Sequence, residues 1–306
     1  MNRDESESTI VATNLYFGGN FMSKNFTERV LRAYENIDNP RLKEVMQITI
    51  KHLHAMVEEI KPDDQEFEIF WRLMEKMAAS TGPERNEFLL FCDVVGISQL
   101  VEIVNHDKPD QKVGYALVGP FLRENDPVRS RGEADMSDDT PGDRVLVSGR
   151  VYDIETNEAI PDAVVDTWQA AMNGLYENQD SHQPDYNLRG KYKTDSAGTF
   201  ELVALFPTAY PVPTDGPVGE ILAAAHRYPY RPAHIHFICT APGYETLITQ
   251  VFVKGDKQIE DDVVFTASDK MIGDFQKGDG KCKYKLTYDL PLRKGVSTIP
   301  KAPIPA

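Results

Sequence analysis

The hydrophobic period of this chain changes once. Up to Val104 apolar residues recur three and four apart, whereas from Val145 onward they come in short β-branched and aromatic runs broken by turn residues. Such a chain segregates its helices from its strands, because neither period suits the other element. The expected fold class is therefore α+β. Helix starts are readable in the front part. Asn25 with Glu28 has the form of a capping box ahead of Arg29 to Tyr34, Pro40 follows Asn39 as a first-turn proline, and Pro83 follows Thr81-Gly82 in the same way. Three stripes then have the spacing of one buried helix face. They are Leu42, Val45, Met46, Ile50, Leu53, Met56, Val57 and Ile60; Phe67, Phe70, Trp71, Met74 and Met77; and Phe88, Phe91, Cys92, Val95, Leu100, Val101 and Val104. They read as core or as a helix-to-helix interface rather than as a cofactor site.

After Asn105 to Asp110 the texture changes, and the polar stretch from Arg123 to Arg144, rich in Asp, Gly and Pro, reads as a long surface connection. Strands are expected over Val145 to Tyr152, Ala163 to Gln169, Lys191 to Thr194, Thr199 to Val203, His234 to Cys239 and Thr246 to Phe252. Asp195-Ser196-Ala197-Gly198 has the form of a hairpin connection and Thr156-Asn157-Glu158 that of a turn. Short strands at these intervals predict an antiparallel β-sandwich. The 306 residues thus divide into a helical domain over 1–107 and a sandwich domain over 108–306.

Charge and cysteine content narrow the function. The chain carries 33 basic against 48 acidic residues, a net charge of −15. A surface this acidic repels phosphate backbones and anionic headgroups, which argues against nucleic acid or membrane as the main partner and leaves small molecules. Cys92, Cys239 and Cys282 show no short spacing, so neither a disulfide framework nor a thiolate zinc site is indicated. Met1 to Thr9 is polar where a secretory signal is apolar, and no run approaches the roughly 18 apolar residues of a membrane span. A cytoplasmic location is expected.

Two of the histidine pairs have the form His-x-His, and geometry separates them. His52 and His54 fall within a helix stripe, where a spacing of two turns side chains about 200° apart, so they cannot share a metal. His234 and His236 fall in Ala233-His234-Ile235-His236-Phe237, where strand alternation puts both imidazoles on one face. That pair can chelate. Cys239 turns to the opposite face, and no acidic residue follows within four positions. Further ligands are then oxygen donors, and tyrosine phenolate is a candidate because trivalent iron favours hard anionic oxygen.

The segments Leu117-Val118-Gly119-Pro120-Phe121, Gly149-Arg150-Val151-Tyr152-Asp153, Gly174-Leu175-Tyr176, Asn187-Leu188-Arg189-Gly190, Tyr210-Pro211-Val212-Pro213-Thr214-Asp215-Gly216-Pro217 and Arg231-Pro232-Ala233-His234-Ile235-His236-Phe237 resemble the intradiol ring-cleavage dioxygenases, in that family's order. The resemblance implies an N-terminal helical domain that forms a homodimer interface, with room there for a lipid, and a sandwich that carries non-haem Fe(III). It implies that Tyr176, Tyr210, His234 and His236 ligate the iron, that Arg231 and Gln250 line the reaction site, and that Tyr210 leaves the metal to accept a substrate proton. The substrates implied are an aromatic diol or triol and dioxygen. The run Tyr186 to Gly190, the signature from Tyr210 to Gly219 and Phe88 to Asp93 resemble the hydroxyquinol-cleaving branch more than the catechol branch. In that branch the positions of Leu90, Asp93, Leu117, Val118, Gly119, Pro120, Phe121, Val212, Pro213 and Val264 surround the substrate. Asp93 matters most, since a carboxylate on an apolar helix face needs a partner and a third ring hydroxyl supplies one. A solvent-facing Asp93 is the alternative. Segments like Gly149 to Asp153 and Thr194 to Phe200 also occur in metal-free sandwich modules, which have no use for the four ligand residues together.

Overall fold

A computed structural model describes residues 25–82, 85–130, 135–137 and 140–302. The proposed helix start at Pro83 lies outside them. The chain forms two compact units that divide between Arg72 and Leu73.

In the first unit a helix α1 covers 25–33 and α2 covers Pro40–Ile60. Asn25, where a capping box is expected, is the first described residue and is already helical. α2 begins as expected: the Asn39 side chain accepts from the Leu42 N–H at 3.0 Å and Pro40 occupies the first turn. α3, Asp64–Ser80, opens on a capping box. The Asp63 carboxylate accepts from Gln65 and Glu66, and Glu66 accepts from the Asp63 N–H. His54 is satisfied inside this unit by Thr27 at 2.9 Å and by stacking on Phe26. The stripe on α2 is not core: Ile50 is buried, while Leu42, Val45, Leu53, Val57 and Ile60 are exposed.

The second unit opens with the end of α3 and holds α4, Glu87–Val94, and α5, Ile97–His106. The third stripe does not form one face, because Gly96 at φ 77° breaks it into two helices. Phe88, Val95, Leu100, Val101 and Val104 end up exposed, whereas Asp93, Val94 and Gln99 face inward. Asp93 is buried, then, on the side of α4 opposite to the one expected.

Among the described residues twelve strands follow. They are β1 Arg144–Asp153, β2 Val164–Trp168, β3 Arg189–Lys193, β4 Thr199–Leu205, β5 Tyr210–Pro211, β6 Tyr230–Arg231, β7 His234–Thr240, β8 Leu247–Val253, β9 Ile272–Gly273, β10 Gln276–Lys277, β11 Tyr284–Thr287 and β12 Leu290–Leu292. A helix α6, Pro217–Ala224, lies between β5 and β6. One sheet has the order β10-β11-β1-β12 with β4 also on β1; the other runs β3-β2-β7-β8-β9. The sheets are mixed rather than purely antiparallel, because β11 and β12 run parallel to β1 and β9 parallel to β8. These short parallel strands carry little period of their own. Where β1 passes from β11 to β12, a Cβ on Gly149 would stand 2.0 Å from the Tyr288 carbonyl oxygen. Only glycine admits that approach.

The core joins Val145, Val147 and Val151 of β1 and Phe200 and Leu202 of β4 to Val165, Tyr192, Ile235, Phe237, Cys239 and Val251 of the other sheet. Alternation on β7 therefore sends Ile235 and Phe237 into the core and both histidines to the opposite face. Asp195 to Gly198 is a tight turn, closed by Gly198 N–H to the Asp195 carbonyl, but β3 and β4 belong to different sheets, so it is not a hairpin. The Arg123–Arg144 connection is also more than a surface loop. Among its described residues, Asp126, Met136 and Ser137 are buried, and Arg129 and Met136 donate to the carbonyls of Lys191 and Val203.

Candidate metal centre and substrate cavity

β7 lies between β2 and β8, with Trp168 and Gln250 directly opposite His236. The Trp168 indole stacks on the His236 ring at 4.6 Å and 11°. His234 is held by its other nitrogen: Nδ1–H donates to the Pro232 carbonyl at 2.6 Å, which puts the ring's lone pair on Nε2. The two Nε2 atoms are 3.1 Å apart. Tyr176 stands at the entry to a short 3-10 turn over Glu177–Gln179, its backbone N–H given to the Gln179 side chain and its ring stacked on Phe121 at 4.4 Å. Its hydroxyl lies 3.0 Å from His236 Nε2 and 3.2 Å from the Tyr210 hydroxyl. Gly174, at φ 80°, lets the chain turn there, and a Cβ on it would sit 3.2 Å from the Tyr210 side chain. Residues 34 and 60 apart in sequence are thus brought within contact of one point.

Burial governs the charge states. His234 is pushed down to about 3 by burial and then by the Arg231 charge, and His236 is held well below its ordinary value by burial, His234 and Arg231. Both imidazoles are therefore neutral lone-pair donors at pH 7. Burial, then Tyr210, raises the Tyr176 phenol well above its usual value, so ionising it calls for a compensating cation. The donor set fits one. Bonds of about 2.1 Å to a single metal ion place neighbouring ligand atoms roughly 3.0–3.4 Å apart, the spacing these atoms have. Two phenol oxygens with two imidazoles suit hard, trivalent iron.

Tyr210 and Arg231 face each other across the β5–β6 ribbon. Arg231 Nη1 is 3.2 Å from His234 Nε2, Nη2 donates to Gln250 Oε1 at 2.8 Å, and Nε faces Asp262 at 3.3 Å. Burial opposes the guanidinium charge, but Asp262, with Tyr210 and Tyr176, more than offsets it, so the pKa is raised and the group is a permanent cation.

Beside these groups opens a cavity of about 810 Å³. Leu90, Asp93, Leu117, Gly119, Pro120, Phe121, Tyr210, Val212, Pro213, Arg231 and Val264 all line it. Val118 and Gln250 lie behind this lining. Val118 does not border the cavity but packs against the cluster of Leu122, Trp168 and Tyr176. Gln250 is fully buried and reaches the site only through Arg231, its amide anchored on the Leu117 carbonyl at 2.9 Å. Of the four donor residues Tyr210 alone borders the cavity. Sequence reasoning alone does not find Trp168 and Asp262, nor the cavity-lining Arg85 and Arg123. No local pattern marks these residues.

Asp93 is buried at the cavity wall, and its carboxyl is raised from 3.8 to about 6, mainly by burial, with a Ser98 hydrogen bond and the Arg231 charge acting the other way. A carboxyl whose pKa is higher folded than unfolded is costly once ionised, so its cost is nil below about pH 4 and complete above about pH 6. Asp93→Asn is therefore expected to leave stability unchanged at pH 3.5 and to raise it by about 3 kcal/mol at pH 7. Urea denaturation at the two values checks this, and an equal effect at both would refute the assignment.

Residues 117–294 match a family model described as Dioxygenase, and residues 39–112 match one described as Catechol dioxygenase N terminus. The hydroxyquinol 1,2-dioxygenase of Rhizobium sp. (strain MTP-10005) is 37% identical over 260 residues, covering 85% of this chain and 88% of that protein. The 6-chlorohydroxyquinol 1,2-dioxygenase of Cupriavidus pinatubonensis is 37% identical over 273 residues, 88% of this chain and 96% of its own length. Among solved structures, hydroxyquinol 1,2-dioxygenase from Pseudomonas putida DLL-E4 superposes with a TM-score of 0.84 at 34% identity, covering 90% of this chain and all of that one.

Proposed function

Since this chain belongs to the intradiol ring-cleavage dioxygenases, we propose that it opens hydroxyquinol between its adjacent hydroxylated carbons. Both atoms of dioxygen then end in the product, 3-hydroxy-cis,cis-muconate, the enol form of maleylacetate. The observation that carries this reading is the convergence of two phenol oxygens and two imidazole nitrogens at 3.0–3.2 Å beside a cavity with room for an aromatic ring. Tyr176, Tyr210, His234 and His236 hold the iron in this reading. The ferric ion, when bound, supplies Lewis acidity toward the diol oxygens.

The protein's own groups do the rest. Tyr210, the donor that borders the cavity, is placed to take a proton from a substrate hydroxyl at its phenol oxygen. Arg231 presents a fixed positive charge to the negative charge that develops on the ring, in a site where little water competes. Leu117, Val212 and Val264 supply apolar walls for the ring. Asp93 supplies the polar contact that separates a triol from a diol, its carboxyl paired with the third hydroxyl. Asp93→Ala should accordingly lower kcat/KM for hydroxyquinol about 10–100-fold while changing that for catechol less than threefold. Equal losses on both substrates would refute the contact. The exposed apolar residues of α2 suit a second copy of this chain, consistent with a homodimer.

Oxygen uptake by the purified protein with hydroxyquinol, catechol and protocatechuate side by side tests the substrate. Hydroxyquinol is expected to dominate, and dominant catechol oxidation would overturn that choice while leaving the reaction class intact. A folded protein that takes up no iron and stays colourless would instead favour a metal-free binding module.

A further inference from the structure

We propose that Asp262 is a positioning residue, which sets the direction of the Arg231 guanidinium and ties it to the cavity wall at Val264. Both side chains are buried. Asp262 Oδ1 lies 3.3 Å from Arg231 Nε, and Oδ2 lies 3.4 Å from Nη2. The same two oxygens accept the backbone N–H groups of Val264 at 3.4 Å and of Thr266 and Ala267 at 3.0 Å. Five donors on one carboxylate use its whole acceptor capacity. It cannot turn without stranding either the guanidinium or the loop that follows it.

Gln250 holds the guanidinium from its other side. It takes Nη2 at 2.8 Å and grips the Leu117 carbonyl at 2.9 Å. The Nε and Nη2 edge of Arg231 is therefore fully engaged, which leaves Nη1 as the nitrogen on the His234 side. Each anchor also holds one apolar wall of the cavity, Leu117 through Gln250 and Val264 through Asp262. Walls and cation thus form one body, and a ring seated against the walls meets the charge in a set direction. Asp262 acts through Arg231, so this rests on the role assigned to Arg231 above.

A double-mutant cycle with Arg231→Gln tests it. Asp262→Asn keeps an oxygen for the amides and removes the charge. The expected result is an iron content and visible spectrum like those of the parent protein, a KM within about threefold, and a kcat about 10–100-fold lower, the range seen when partners of a site's ligands are removed. On the Arg231→Gln background the same change should cost less than twofold in kcat. Additive losses on both backgrounds, a loss confined to iron content or KM, or no loss at all would overturn the proposal. Should Asp262→Asn alone fail to fold, the double variant, which buries no bare cation, is compared with Arg231→Gln; a further large drop in kcat overturns it. A wild-type kcat in Arg231→Gln alone would refute the role of the arginine itself, and with it any need to aim it.

Discussion

His236→Ala is expected to yield a folded protein that holds less than a tenth of an equivalent of iron and has lost more than 100-fold in oxygen uptake with hydroxyquinol. The imidazole is central to the donor cluster, with Nε2 3.1 Å from His234 Nε2 and 3.0 Å from the Tyr176 hydroxyl. Losing a partner of a metal ligand typically costs 10–100-fold in affinity or activity, so losing a ligand itself costs more. Burial keeps this imidazole neutral, so its removal strands no charge in the interior. The fold should survive, although the Trp168 indole loses its stacking partner. Metal analysis and the visible spectrum read the loss directly, and retention of a full equivalent of iron would remove His236 from the ligand set.

Glu177→Ala should have the largest effect on stability. Glu177 follows Tyr176 directly, and its buried carboxylate receives Arg123 Nη1 at 2.7 Å and Arg189 Nε at 2.8 Å. Arg189 has no exposed surface, and its nearest other carboxylate, Asp126, is 4.0 Å away. Truncating the glutamate leaves that guanidinium buried and poorly compensated, which costs about 3–5 kcal/mol. The same substitution loosens the turn that presents the Tyr176 hydroxyl, so iron affinity should fall together with the urea midpoint. A loss under about 1 kcal/mol would mean that Asp126 or water takes over the charge. Replacing Glu177 by Gln, which keeps the shape and an acceptor, should recover part of the loss.

Several features were legible because they depend on near neighbours. The change of hydrophobic period separated helices from strands, Asn39-Pro40 marked a helix start, and alternation along β7 placed His234 and His236 on one face with Ile235 and Phe237 in the core. Each is a local rule of backbone geometry. The choice of metal and ligands, by contrast, rests on family resemblance, because no local pattern near Tyr176 or Tyr210 names a metal.

What lay beyond the sequence depends on partners distant along the chain. Nothing near Asp195 reveals that the strands it joins lie in different sheets, and the short strands β11 and β12 find parallel places beside β1 only once the sheet exists. The apolar stripes reported helices correctly but not which side faces inward, since one amphipathic face serves a core or a partner equally well. So Asp93 is buried beside Val94 while Phe88 and Val104 lie open. Asp262 was invisible for the same reason: 31 residues separate it from Arg231, and only the folded chain brings the two charges together. Local pattern determined the elements and the donors available on them; long-range packing decided which of those donors meet and which charges hold them there.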